Sequence, residues 1–376
     1  MSAMLGFPGV RRLPAAYAEV LGWGLLSRVV VFGAALSLYI RGGSVGYFGA
    51  DTLARPFGAI ESWDSRWYVT VAQRGYLLVP GRQSDPAFFP LYPLILRLAH
   101  HAGVSLMAGG IILSNLALPA ALLALYELGR RHFAEPVARR AAIYASVFPM
   151  GFVFSMVYPQ SFVLLAIALT ALLALHDRFG VAAIFAAAAT LARPEGVFLV
   201  LPLAACAVAA WPRLNSAARG RAIAAVAAAP MALLTYPLYL RWALHDFGAW
   251  GAAQRAWGRA FSLTGLPQAV ARLPPTLQHN PWLARDAVAV ALYVFLLVLA
   301  ARAGTPRAWI VAGLLVLLVP LASGSIESEA RFGMLAPALY WGLAALASTA
   351  RRDRAIRVGS VLLLAAGTLT LPYVFP

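Results

Sequence analysis

Asp64 sits in the stretch ESWDSRWYVTVAQRGY (61–76), three residues after Glu61 and among Trp63, Trp67, Tyr68 and Tyr76. Two uses are open to a carboxylate there. It can take a proton from a hydroxyl as a general base, or it can cap a helix, because the start of a helix favours negative charge. From Ser62 to Gln73 nothing breaks a helix, and Trp63, Trp67 and Val71 recur at helical spacing. The pattern predicts a short helix lying on a membrane surface, aromatic face down.

Three further stretches carry chemistry. DPAFFPLYPLILRL (85–98) fixes Phe88, Phe89 and Tyr92 between prolines, as a wall for an apolar or sugar-bearing ligand or as a turn re-entering the membrane. TLARPEGVFL holds Arg193 and Glu195, and SIESEARFGMLAP holds Glu327, Glu329 and Arg331, each at the end of an apolar segment. Charged groups at that depth face a protein interior or a water-filled cavity and mark a site or pathway. Each also reads as a structural Arg–Glu pair. Planar guanidinium groups match phosphate oxygens, so with a carboxylate base the set suits transfer from a phosphate-linked group. No Gly-rich phosphate loop accompanies them.

The elements that must position these residues are membrane helices. The chain has 376 residues, 61% hydrophobic and 12% charged, where a soluble domain carries about a quarter charged. The apolar runs predict an all-α polytopic integral membrane protein of about eleven spans between residues 16 and 374, one of them over 141–157. The 41–104 and 244–284 segments are the two long polar loops, with short interfacial helices in the first, and 1–376 reads as one membrane domain. The +16 formal charge is carried by Arg alone, much of it in short connections, so it is a topology signal and not a nucleic-acid surface. Connections bearing Arg130, Arg131, Arg139, Arg140, Arg213, Arg219, Arg221, Arg302, Arg307, Arg351, Arg352, Arg354 and Arg357 fall on one side, predicted cytoplasmic. The N-terminus, with Arg11 and Arg12, is predicted on that side and the long loops opposite. Cys206 is the single cysteine, which excludes an intramolecular disulfide or a Cys-based metal site.

Six motifs occur in order over residues 63–337: WDSRWYVTVAQRGY, FFPLYP, YPQSFVLLAIALTALL, ARPEG, AQRAWG and ARFGMLAP. In these the chain resembles the PIG-V family, the second mannosyltransferase of GPI-anchor assembly and its bacterial relatives, within the GT-C class of membrane glycosyltransferases. The resemblance implies a GT-C-like fold and a polyprenyl- or dolichyl-phosphate-mannose donor. The acceptor would be a lipid or glycan, and the active site would face away from the cytoplasm, in a bacterial plasma membrane or, for a eukaryotic protein, the ER. Asp64 takes the place of the acidic residue of the first outer loop to which GT-C catalysis is attributed. On this reading Asp64 is the base of an inverting transfer, and Arg331 and Arg193 bind the donor phosphate. Trp63, Tyr68, Phe89, Tyr92 and Trp257 wall the substrates, with Glu195 and Gln254 in the substrate site. Pro159 or Gln160 stands where the family often has an acid, and Glu195 where it often has an amide; both bear on donor and acceptor choice.

Two other functions fit a chain of this kind. A flippase of lipid-linked sugars needs its site near the midplane and often shows internal repeats, which are not evident. A non-catalytic membrane subunit would not need Asp64. No cofactor is expected. A divalent ion shared by Asp64, Asp85 and a lipid phosphate is the alternative, and His100–His101 lacks the i, i+4 spacing of a helical metal pair.

Overall fold

The computed structural model describes residues 13–41 and 55–374. Arg11, Arg12 and residues 42–54 of the first long loop lie outside the described residues. The described chain is helical, without a β-strand: α1 (Ala15–Ile40), α2 (Ser65–Arg74), α3 (Leu91–His101), α4 (Leu106–Arg130), α5 (Glu135–Val147), α6 (Gln160–Leu175), α7 (Phe179–Ala192), α8 (Val200–Ala210), α9 (Ser216–Leu244), α10 (Ala249–Ala256), α11 (Gly265–His279), α12 (Ala284–Arg302), α13 (Arg307–Leu321), α14 (Glu329–Phe332), α15 (Pro337–Leu346) and α16 (Ala350–Thr370).

Among the described residues, five segments are long and apolar enough to cross a membrane: α1, α4, Pro194–Arg213, α9 and Pro281–Arg302. The apolar helices α6, α7, α13 and α15 are shorter. The expected count of about eleven spans is therefore not confirmed, and the segment expected over 141–157 shows one reason. Helix α5 stops at Val147, because Pro149 follows and a proline disfavours the helical conformation in the residue before it. The chain continues as a 3-10 turn, Gly151–Phe154. Ala141, Tyr144, Val153 and Phe154 are fully enclosed. This stretch is apolar because protein surrounds it.

Small residues set the helix packing. Ala182, Ala186 and Ala189 of α7 and Ala222, Ala225 and Ala229 of α9 are all fully buried where these two helices meet. Facing rows of alanine let membrane helices approach closely. Ser105, Asn215 and Thr349 cap α4, α9 and α16, each accepting a hydrogen bond from an amide three residues on.

The connections sort to two ends. At one, Glu19 pairs with Arg139 and, at 2.9 Å, with Arg357, while Asp177 takes Arg213 at 2.8 Å. At the other, Trp63 donates to the Leu371 carbonyl (2.7 Å), Gln254 to that of Ala87 (3.4 Å) and Arg259 to that of Glu327 (3.2 Å). The motifs that carry Asp64, Arg193, Gln254 and Arg331 lie together at this second end.

Candidate active site

Asp64 precedes α2 but does not cap it, since its carboxylate makes no hydrogen bond to the first-turn amides. Instead Oδ2 lies 2.6 Å from Nη1 of Arg331, with both residues buried. The backbone amide of Asp64 donates to the Tyr158 hydroxyl at 3.1 Å. The Arg331 guanidinium lies 5.3 Å from the Tyr158 ring centroid and donates to Ser328 Oγ at 3.3 Å. Trp63 (φ 56°) and Ser328 (φ 71°), one residue before Asp64 and three before Arg331, both adopt the left-handed conformation. Such backbone costs of order 1–3 kcal/mol and persists where the surroundings enforce it.

Phe332 gathers three cations. Its ring centroid lies 4.8 Å from the guanidinium of Arg193, 5.0 Å from that of Arg259 and 5.3 Å from that of Arg331. Two of them are held by carboxylates: Arg331 by Asp64, and Arg193 by Glu195 in a two-pronged contact of 2.6 and 3.1 Å. Arg259 has no carboxylate within ion-pair distance among the described residues. Burial, and then the like charge of Arg331, lower its pKa from the ordinary value.

Glycines allow the site segments to lie this close. A Cβ on Gly196, next to Glu195, would come within 2.4 Å of the Thr190 amide nitrogen. One on Gly333 would lie 2.3 Å from the Tyr293 ring.

Two cavities meet here. The first, about 400 Å³, is lined on its polar side by Asp64, Arg193, Glu195, Gln254, Arg259, Glu327 and Arg331. Tyr68, Phe88, Phe89, Trp250 and Trp257 form its aromatic wall, and Phe198, Leu233, Val319 and Pro320 continue it between the helices. The second, about 640 Å³, is lined by Trp63, Asp64, Arg66, Trp67, Thr70, Arg74, Trp257, Trp282, Arg285, Glu327 and Tyr373, among others. Asp64, Trp257 and Glu327 belong to both. Burial pushes the Glu327 carboxyl above its usual range.

The residues expected in the site separate on these distances. Asp64, Arg193, Arg331, Tyr68, Phe89, Glu195, Gln254 and Trp257 line the first cavity, and Trp63 the second. Tyr92 lines neither. It is enclosed, with its hydroxyl 3.1 Å from Ser114 Oγ, which donates to the Tyr158 carbonyl at 3.0 Å, so it supports the tyrosine beneath Arg331. Trp63 and Trp67 are not an outward aromatic face: Trp63 is tied to Leu371, and Trp67 stacks on Phe88 at 5.7 Å. Glu61 pairs with Arg55 at 3.1 Å, the Asp85 carboxylate accepts from the Leu77 amide at 2.6 Å, and neither acid lines either of these two cavities. Among the described residues no three His, Cys, Asp or Glu side chains form a metal-holding group.

Sequence reasoning missed Arg259 and Tyr158. Arg259 follows the AQRAWG motif by one residue, and Tyr158 opens YPQSF; their role depends on contacts with chain far away in sequence. Glu329 was expected at a site end, but it is enclosed outside both cavities with neither carboxylate oxygen hydrogen-bonded among the described residues. Burial raises its carboxyl well above the usual range.

No family model matches the sequence, and no curated protein matches it. Among solved structures the chain is similar to the archaeal oligosaccharyltransferase AglB from Archaeoglobus fulgidus, solved in complex with an inhibitory peptide and a dolichol-phosphate. The TM-score is 0.39 and the identity 13%, over 93% of this chain and 55% of that one. The chain thus spans about half the length of that protein.

Proposed function

We propose that the protein is an inverting GT-C glycosyltransferase that moves a sugar, mannose first among candidates, from a polyprenyl-phosphate donor to an acceptor hydroxyl. The observation that carries this reading is the junction at Asp64: a buried carboxylate between an arginine-lined cavity with an apolar extension and a second, more polar cavity. The donor phosphate lies against Arg259 and Arg331. Arg259 is the lead phosphate ligand, since an anion would offset the cost of burying a cation that has no carboxylate partner among the described residues. Arg193, held by Glu195, supports Phe332 and the local charge balance. The lipid chain follows Phe198, Leu233, Val319 and Pro320 between the helices.

Transfer needs no external energy source. The acceptor hydroxyl oxygen attacks the anomeric carbon from the second cavity, and the bond from that carbon to the phosphate oxygen breaks. Its electron pair leaves on the lipid phosphate, where the guanidinium groups meet the growing charge. The hydroxyl proton passes to Asp64. Glu327, the other carboxylate at the junction, holds acceptor hydroxyls. The choice of mannose, and placement of the site on the extracytoplasmic side, are supported by the PIG-V-like motifs and by the arginine-rich connections at the opposite end.

The test is direct. Purified protein is incubated with short-chain polyprenyl-phosphate-mannose and a membrane lipid extract, and new products are sought by mass spectrometry. Species heavier by one hexose are expected with wild type and not with Asp64→Asn. Their absence with every polyprenyl-phosphate sugar tried would refute the reading.

A further inference from the structure

Arg331 meets Asp64 from a turn that can scarcely hold itself. Helix α14 is four residues long, Glu329–Phe332, entered through the left-handed Ser328 and followed at once by a 3-10 turn, Gly333–Leu335. A single turn fixes several dihedral angles for very few hydrogen bonds and does not persist alone. The amides of Arg331 and Phe332 both go to the Ser328 carbonyl at 3.1 Å. The Ala330 amide lies in the first turn, where an amide has no acceptor within its own helix.

Helix α12 supplies what the turn lacks. Asp286 and Tyr293 stand seven residues apart on it, two turns, and therefore on one face. Both side chains are enclosed by protein. Asp286 Oδ1 accepts from the Ala330 amide at 2.9 Å, and the Tyr293 hydroxyl donates to the Ala330 carbonyl. The two peptide groups flanking Ala330, the second of which leads into Arg331, are thus gripped from α12. Gly333 leaves room for the grip, since a Cβ there would meet the Tyr293 ring. Burying a carboxylate is costly unless its oxygens are engaged. Those of Asp286 are: Oδ2 meets Arg285 at 3.1 Å while Oδ1 holds Ala330.

Resting on the reading of Arg331 as a group that meets the charge growing on the departing phosphate, we infer that Asp286 and Tyr293 are positioning residues for the transfer. Neither lines the two cavities. They act through Ala330, setting the height and direction of the Arg331 guanidinium against Asp64. The kinetic consequence is specific. Arg259 belongs to a different segment and keeps its hold on the resting phosphate, so the donor KM should move little. The aim of Arg331 matters most as charge develops in the transition state. A misplacement of about 1 Å caused from a distance can cost about a hundredfold in rate.

The experiment uses the full-length protein in detergent and has two readouts. Tyr293→Phe removes only the hydroxyl. With a short-chain polyprenyl-phosphate sugar, its kcat should fall about ten- to a hundredfold while the donor KM stays within about threefold. Asp286→Ala should behave alike. Asp286→Asn, whose side-chain oxygen can still accept from the Ala330 amide, should recover most of the kcat. The second readout needs no substrate: melting midpoints are measured for Tyr293→Phe, Asp64→Asn and their combination. If α12 aims Arg331 at Asp64, Asp64→Asn should lower the midpoint less in the Tyr293→Phe background than in wild type. Additive losses would show that Arg331 keeps its place without the hydroxyl, and overturn the inference. A wild-type kcat in Tyr293→Phe overturns its kinetic part. Equal kcat losses in Asp286→Asn and Asp286→Ala remove Asp286 from the clamp. If wild type transfers no polyprenyl-phosphate sugar, the donor reading falls, and the midpoints alone decide whether α12 aims Arg331 at Asp64.

Discussion

Replacing Asp64 by Asn removes a proton acceptor and also strips Arg331 of its counter-charge. The pair is buried and its contact is 2.6 Å. Removing one partner of such a pair leaves an uncompensated charge and costs about 3–5 kcal/mol. On the proposed mechanism the same change also takes away general-base assistance, which is worth about 10²–10⁴ in rate. Fold and turnover should therefore fall together, and a double variant separates them. Asp64→Asn combined with Arg331→Gln removes both charges, so the melting midpoint in detergent, lowered in the single variant, should recover most of its loss.

Turnover is then followed with a short-chain polyprenyl-phosphate sugar, well below the lowered midpoint. In Asp64→Asn, kcat should fall at least about a hundredfold with the donor KM little changed. The double variant should stay inactive despite its restored stability. Asp64→Glu should keep part of the activity, because the charge pair survives while one extra methylene displaces the base. An unchanged midpoint in Asp64→Asn would refute the energetic coupling. Near wild-type turnover in either Asn variant would move the base away from Asp64.

Other changes probe the remaining parts. Glu327→Gln should raise the acceptor KM and cost less in kcat than Asp64→Asn; the opposite order in steady-state kinetics would make Glu327 the base. Arg259→Lys keeps the charge but loses the planar fork, so donor-mimic affinity should drop severalfold in a titration, and unchanged affinity would remove Arg259 from the phosphate site. Glu329→Gln should leave both the melting midpoint and turnover near wild type, because burial already favours the protonated carboxyl; a large loss of either would show that the group is ionised. Gly196→Ala should lower the midpoint through the clash with the Thr190 amide, and a neutral result would show that the turn after Glu195 can shift.

Much of this site could be read from residue types and little from spacing. Charged residues in a chain this apolar are conspicuous, so Asp64, Arg193, Glu195, Glu327 and Arg331 stood out before any contact was known. Their partners did not. Arg193 and Glu195 are two residues apart and pair locally, as the sequence allowed. Asp64 pairs with an arginine on the far side of the chain, which no periodicity announces. The tryptophans misled for a related reason: one every four residues fits a membrane anchor and a cavity wall equally well. Helical content was legible, but the span count was not. A stretch enclosed by protein, such as 141–157, is as apolar as one enclosed by lipid.

The strained residues belong to the same account as the paired charges. Trp63 and Ser328 are non-glycine residues in the left-handed region, each storing of order 1–3 kcal/mol, and each lies just before one half of the Asp64–Arg331 pair. Relaxing either turn would swing a charged side chain out of a buried position, so the ion pair and the strain hold each other in place. The Trp63 indole, fixed to the Leu371 carbonyl at 2.7 Å, and the Tyr158 hydroxyl, meeting the Asp64 amide at 3.1 Å, anchor one turn from both sides. A carboxylate serving merely as a helix cap would need none of this, since capping is satisfied by ordinary extended backbone at that position. What the arrangement achieves is a carboxylate of fixed height and direction at the meeting point of two cavities. A base that must accept a proton in one geometry, between a lipid-held donor and an incoming hydroxyl, requires that precision.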